Sequence, residues 1–195
     1  DSLTIVFRVV GAGTKWLSTQ QVGARIDVLG PLGTGFSMPE DNARVLIVGG
    51  GIGTPPLYQL AKNVAQVTAN IDIVLGYRTG IECFWHKEFG ALGNLTIATE
   101  DGQVGILGYV TDAITTLTES GANWDYVYGC GPLPMLRAVK THFHGQPVQG
   151  YVSLEEKMAC GVGACYGCVC QTPERDFTKR ICNEGPVFAW NEVIL

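Results

Sequence analysis

Seven cysteines stand in this chain of 195 residues, and five of them fall between Cys160 and Cys182. Four are spaced C-x4-C-x2-C, then thirteen residues, then C: Cys160, Cys165, Cys168 and Cys182. Three thiolates on one tight loop can wrap a metal–sulfur group from one side, and a distant fourth closes it. The residues between them include Gly161, Gly163 and Gly167. These let the backbone bend and turn its N–H groups toward sulfur, which offsets thiolate charge. The spacing is that of plant-type 2Fe–2S ligands. A structural zinc site is the competing reading, but zinc ribbons place two C-x2-C pairs on separate knuckles, and only one such pair is present. Cys170 follows Cys168 too closely for a second loop ligand and reads as a packed or spare thiol. Cys83 falls in an expected helical stretch and reads as a core residue. An odd cysteine count, without a charged and then apolar N-terminal leader, argues against a disulfide framework.

Two glycine turns form the second constellation. Arg44–Val48 is an apolar strand that runs into Gly49, Gly50, Gly51, Ile52, Gly53, Thr54 and Pro55. Thr54 suits an N-cap and Pro55 a first helical position. The N–H groups at such a helix start attract phosphate, and the glycines permit close backbone approach to a pyrophosphate. The run is no P-loop, since no Lys-Ser/Thr follows, and it breaks the G-x-G-x-x-G register at Thr54. Further on, strand Asp125–Tyr128 leads into Gly129, Cys130, Gly131 and Pro132. Two such turns at the carboxyl ends of parallel strands mark the ligand crevice of an α/β sheet. Cys130 alone reads equally well as a small buried hydrophobe.

The surrounding pattern supplies the elements that would hold these groups. Leu57, Leu60, Ala61 and Val64 predict an amphipathic helix over 55–66. Strands are expected at 71–76 and 95–99, with helical stretches at 84–92, 108–117 and 132–140. Strand–helix alternation over 40–148 implies a parallel sheet with helices on its faces. Residues 1–39 read as β, from TIVFRVV and GARIDVLGPLGTGF. Residues 149–195 are rich in Cys and Gly, with little room for helices. A hydrophobic fraction of 46% against 16% charged argues for a substantial core. A net charge of −5, with no basic stripe, disfavours a nucleic-acid partner. No apolar run is long enough to span a membrane.

Three segments, GGGIGTPPLYQLAK, YGCGPLPMLRAV and SLEEKMACGVGACYGCVC with ICNEGPVF, resemble the electron-transfer subunits of dihydroorotate dehydrogenase B, within the ferredoxin–NADP reductase superfamily. The resemblance covers essentially the whole chain. It implies α/β plus β architecture: a partial β-barrel flavin domain (1–39), a parallel-sheet NAD-binding domain (40–148) and a small C-terminal 2Fe–2S domain (149–195). It also implies FAD contacts at Val6, Phe7, Arg8, Gly13 and Thr14, and an NAD pyrophosphate at Gly49–Pro55. Cys130, as catalytic residue, with Gly131 and Pro132, would lie beside the nicotinamide. Cys160, Cys165, Cys168 and Cys182 would ligate the cluster. The implied partner is an FMN-containing catalytic subunit in a cytoplasmic heterotetramer that makes pyrimidines.

In the family, further barrel strands and an Arg-Pro-x-Ser flavin segment precede the point where this sequence starts. The 195-residue chain is therefore expected to bind FAD poorly. Related NAD(P)H:ferredoxin or sulfide oxidoreductase subunits often carry Asp in place of the first cluster cysteine, and Cys160 favours the dihydroorotate family. Arg78 lacks a second cation nearby for a 2′-phosphate and reads first as a solvated loop charge; NAD is favoured by the resemblance. Glu100-Asp101-Gly102 reads as a turn that could also border the nucleotide. His86, His142 and His144 show no base–nucleophile pattern.

Overall fold

The computed structural model describes residues 2–195. Its frame is a seven-stranded sheet. The strands are β1 (Val45–Gly50), β2 (Ile71–Tyr77), β3 (Asn94–Thr99), β4 (Ile106–Leu107), β5 (Tyr126–Cys130), β6 (Gln149–Ser153) and, late in the chain, β9 (Val187–Ala189). Their order is β4-β3-β2-β1-β5-β6-β9. All neighbours are parallel except β6 and β9, which run antiparallel with Ser153 opposite Val187. Between β6 and β9 lies a separate hairpin of β7 (Val169–Gln171) and β8 (Thr178–Arg180).

Both faces of the central strands are buried, which is why β1 is a continuous apolar run rather than an alternating one. Val45 and Ile47 face α2 (Thr54–Val64) and α3 (His86–Gly90) through Leu57, Leu60, Val64 and Phe89. Leu46 and Val48 face α4 (Val110–Glu119) and α5 (Leu133–His142) through Val110, Ile114 and Val139. Each fully buried Leu or Ile contributes about 1.5–3 kcal/mol. A smaller core joins Leu136 of α5 and Val152 of β6 to Cys168, Ile181, Cys182 and Phe188.

Residues 2–39 depart from the expected β character. They contain one helix, α1 (Ala12–Ser18), and pair with the rest of the chain only through a bridge between Thr34 and Pro186. Alternation sets which face a strand would show, but a strand persists only with a hydrogen-bonding neighbour. No described residue pairs with TIVFRVV, and Ile5, Val9 and Val10 are exposed. In the GAGTKWLS segment the Thr14 hydroxyl oxygen accepts the N–H groups of Val10 and Gly11 at 3.0 and 3.1 Å. That back-contact starts a helix where a β reading saw none. The end of the segment docks on the sheet: the Tyr128 hydroxyl donates to the Ser37 carbonyl at 2.9 Å, and Phe36 packs edge-on against Tyr128.

Three local expectations are also corrected. Thr54 is the first residue of α2, not its cap, because a 3-10 turn at Gly51–Gly53 starts the coil earlier and leaves Gly53 as the cap. Its side chain is buried beside Gly49. The stretch 84–92 is helical only at His86–Gly90, and Cys83 lies outside it, extended at the end of a short 3-10 turn. Pro132 caps α5 from outside rather than opening it.

Candidate nucleotide and cluster site

The two glycine turns meet at the carboxyl ends of β1 and β5. A Cβ added at Gly53 would stand 2.5 Å from the Cys130 carbonyl oxygen and 2.6 Å from Gly131 Cα. One added at Gly50 would stand 2.9 Å from the Pro132 ring and 2.5 Å from Met135 Sδ. At Gly53 the neighbour is backbone, which cannot give way, so glycine is required there; at Gly50 the crowding comes from the Pro132 and Met135 side chains.

Above these turns opens a cavity of about 1420 Å³. Gly50, Gly51, Ile52, Gly53, Cys130, Gly131, Pro132 and Arg8 line it. Gly49, inside β1, and Thr54 and Pro55, inside α2, are not on its wall. Val6 and Phe7 are half-buried beside Arg8, while Gly13 and Thr14 sit in α1 away from the wall. Arg78, Glu82, Glu100 and Tyr109 line the far end.

The remaining wall was invisible in the sequence. Ser153, Glu155 and Lys157 arrive because β6 runs beside β5, with Ser153 in register with Cys130. Val169, Cys170 and Ile181 arrive from the hairpin segment. Burial pushes the Cys130 thiol up to about 11, against a smaller downward pull from Ser153. Cys130 is therefore a neutral thiol at ordinary pH, able to donate a proton in a hydrogen bond and unsuited to act as a thiolate.

The four spaced cysteines form two pairs. The Cys160 sulfur is held down to about 6, first by the N–H of Val162 and then by the N–H and thiol of Cys165. The N–H of Cys182 donates to the Cys168 sulfur at 3.4 Å and lowers that thiol, while the contact with Cys168 raises Cys182. Gly167 N–H lies 3.4 Å from the Cys165 sulfur. Among the described residues, no three His, Cys, Asp or Glu side chains converge on one point. Two cysteine pairs, each supplied with backbone N–H groups, suit a group with two metal centres and two ligands on each. Cys170 stands apart: its thiol donates to the Lys179 carbonyl at 3.5 Å across the hairpin, in keeping with a packed thiol.

Residues 155–194 match the family model of the iron-sulfur cluster binding domain of dihydroorotate dehydrogenase B. The chain is 49% identical over 194 residues to the dihydroorotate dehydrogenase B (NAD(+)), electron transfer subunit, of Geobacillus thermodenitrificans strain NG80-2, covering 98% of this chain and 74% of that protein. The chain belongs to this family of electron transfer subunits. A member from Shouchella clausii strain KSM-K16 is 43% identical, with 100% of this chain and 75% of that protein covered. Among solved structures, the NADH-dependent reduced ferredoxin-NADP oxidoreductase superposes with a TM-score of 0.86 at 33% identity, over 96% of this chain and 67% of that one. A flavohemoglobin from Malassezia yamatoensis superposes at 0.60 and 18% identity, over 76% of this chain and 42% of that one, a likeness of fold. Family membership and the parallel α/β sheet are thus as the sequence implied.

Proposed function

We infer that this chain is the electron-transfer subunit of an NAD⁺-dependent dihydroorotate dehydrogenase. It takes electrons from a catalytic partner that oxidises dihydroorotate and delivers them to NAD⁺ in pyrimidine synthesis. The partner carries FMN, and two copies of each subunit assemble in the cytoplasm, a reading that follows from membership of the family. Separately, no helix among the described residues is long and apolar enough to cross a membrane. When bound, a 2Fe–2S cluster supplies single-electron transfer, and FAD gathers two electrons for one hydride to NAD⁺. The observation that carries this reading is a single cavity walled by both the glycine turns and the cysteine hairpin.

The chain's own residues then have distinct roles. Cys160, Cys165, Cys168 and Cys182 hold the cluster as two thiolate pairs. The turn at Gly49–Pro55 receives the dinucleotide phosphates, with Gly50–Gly53 at the cavity wall and Gly49, Thr54 and Pro55 supporting them from behind. Cys130, Gly131 and Pro132 border the nicotinamide, where the neutral Cys130 thiol orients the ring without adding charge. Val6, Phe7, Arg8, Gly13 and Thr14 serve the flavin. The domain limits are 1–39 for flavin, 40–148 for NAD and 149–195 for the cluster, with β6 and β9 carrying the last of these into the main sheet.

A second reading follows from the likeness to the NADH-dependent ferredoxin-NADP oxidoreductase: a small subunit of a related NAD(P)H:ferredoxin or sulfide enzyme. The higher identity to the dihydroorotate family, together with Cys160, supports the first. The test is co-expression with the catalytic partner. Dihydroorotate should then reduce NAD⁺, and Cys→Ser at each of the four ligands should abolish NADH formation while sparing reduction of the partner's flavin. A colourless protein that binds zinc and holds no acid-labile sulfide would overturn the reading.

A further inference from the structure

We propose that Arg180 is a positioning residue for the cluster loop, fastening the three cysteine-bearing segments to one another and holding a fixed positive charge among them. The proposal rests on Cys160, Cys165, Cys168 and Cys182 being the cluster ligands. Arg180 ends β8, opposite Val169, two residues before Cys182. One arm of its guanidinium, Nη1, donates to the Gly163 carbonyl at 3.0 Å, inside the loop between Cys160 and Cys165. Its Nε donates to the Glu184 carboxylate at 2.8 Å, two residues beyond Cys182. Its Cζ lies over the ring of Tyr166, a residue between Cys165 and Cys168, 5.0 Å from the centroid.

One side chain thus touches both intervals of the C-x4-C-x2-C loop and the segment after the distant ligand. The Arg180 N–H also donates to Glu184 at 2.8 Å, so the carboxylate grips the backbone and side chain of the same residue. Two of the fastened residues have left-handed backbone: Gly163 has φ +79 and Tyr166 φ +55. A left-handed aromatic residue is disfavoured on its own and needs contacts that hold it. Arginine suits the task through its planar fork and its stacking on aromatic faces. Lysine, a point charge, cannot hold all three partners.

Two consequences follow. Removing the fork frees the loop and speeds loss of the cluster. Removing the charge makes an added electron on the cluster less favourable, so its midpoint potential falls. The test uses the full chain, purified anaerobically, with Arg180→Gln, Arg180→Lys and Lys179→Gln. Lys179 is the neighbouring cation; it pairs with Glu192 at 3.2 Å and lies over Phe188, away from the cysteine loop. Iron, acid-labile sulfide and visible absorption report retention over time, and a redox titration gives the potential.

R180Q should lose cluster about tenfold faster, in the range of outer-shell changes, with a more negative midpoint. R180K should also lose cluster faster but keep the wild-type midpoint. K179Q should match wild type in both. Wild-type retention and potential in R180Q would overturn the proposal, as would K179Q reproducing the R180Q behaviour. Absence of acid-labile sulfide from the unsubstituted chain would instead overturn the ligand assignment itself.

Discussion

Gly53 and Cys130 touch through their backbones: a Cβ at Gly53 would lie 2.5 Å from the Cys130 carbonyl oxygen, closer than folded chains permit. The contact joins the start of α2 to the end of β5, and it fixes the floor of the cavity proposed for the dinucleotide. Gly53 itself has φ −76, so its backbone suits any residue, and space alone demands glycine.

Gly53→Ala should therefore be costly through crowding. Overpacking typically costs about 1–3 kcal/mol. Urea unfolding should show a lower midpoint with an unchanged slope, and NAD⁺ affinity should fall with it. Gly51→Ala is the informative companion. Nothing lies within 4 Å of its Cβ position, but its φ is +51, so its cost should be about 1 kcal/mol of backbone strain. Equal stability of G53A and wild type would show that the two turns can part.

Cys130 should resist alkylation. With its thiol raised to about 11 by burial, its thiolate fraction at pH 8 is roughly a hundredfold below that of an ordinary thiol. In cluster-free protein treated with iodoacetamide at pH 8, peptide mass spectrometry should find the exposed Cys165 modified long before Cys130. Comparable rates at the two positions would contradict the buried, neutral thiol.

Acid should expose the pairing of Arg44 with Asp125. The Arg44 guanidinium and N–H hold the Asp125 carboxyl down to about 2, with Nε at 3.0 Å and the backbone N–H at 2.9 Å. An unfolded Asp titrates near about 3.9. The folded pKa is the lower one, so this contribution is complete above about 3.9 and is lost as pH falls toward about 2. Both side chains are more than a third exposed, so the effect is small and salt-sensitive. Thermal midpoints measured from pH 5 to pH 2 should fall less steeply for Asp125→Asn than for wild type. Parallel curves would remove Asp125 from the account of acid stability.

The parallel sheet was legible because burial on both faces leaves an unmistakable mark. Val45–Val48, Ile73–Leu75 and Tyr126–Tyr128 are apolar throughout, and each ends in a turn or helix start. The α2 stripe was legible for the matching reason. The four cysteines were legible from spacing, although their division into Cys160–Cys165 and Cys168–Cys182 pairs required geometry. TIVFRVV misled because a strand's existence depends on a partner elsewhere in the chain. Thr14 reaching back to Val10, Ser153 falling beside Cys130 and Arg180 reaching Gly163 are all products of tertiary placement. No local period announces them.

The antiparallel pairing of Ser153 with Val187 means that the chain departs from the sheet and rejoins it at a single place. The cysteine segment is thus a detour closed at its base, like a side chapel entered through one doorway. Its length and contents can diverge while the register of β1 through β6 stays as it is. A short hairpin grafted in its place would leave the glycine turns joined as before and would bare chiefly Leu136, Val152 and Phe188, the helix and sheet residues on which the detour rests.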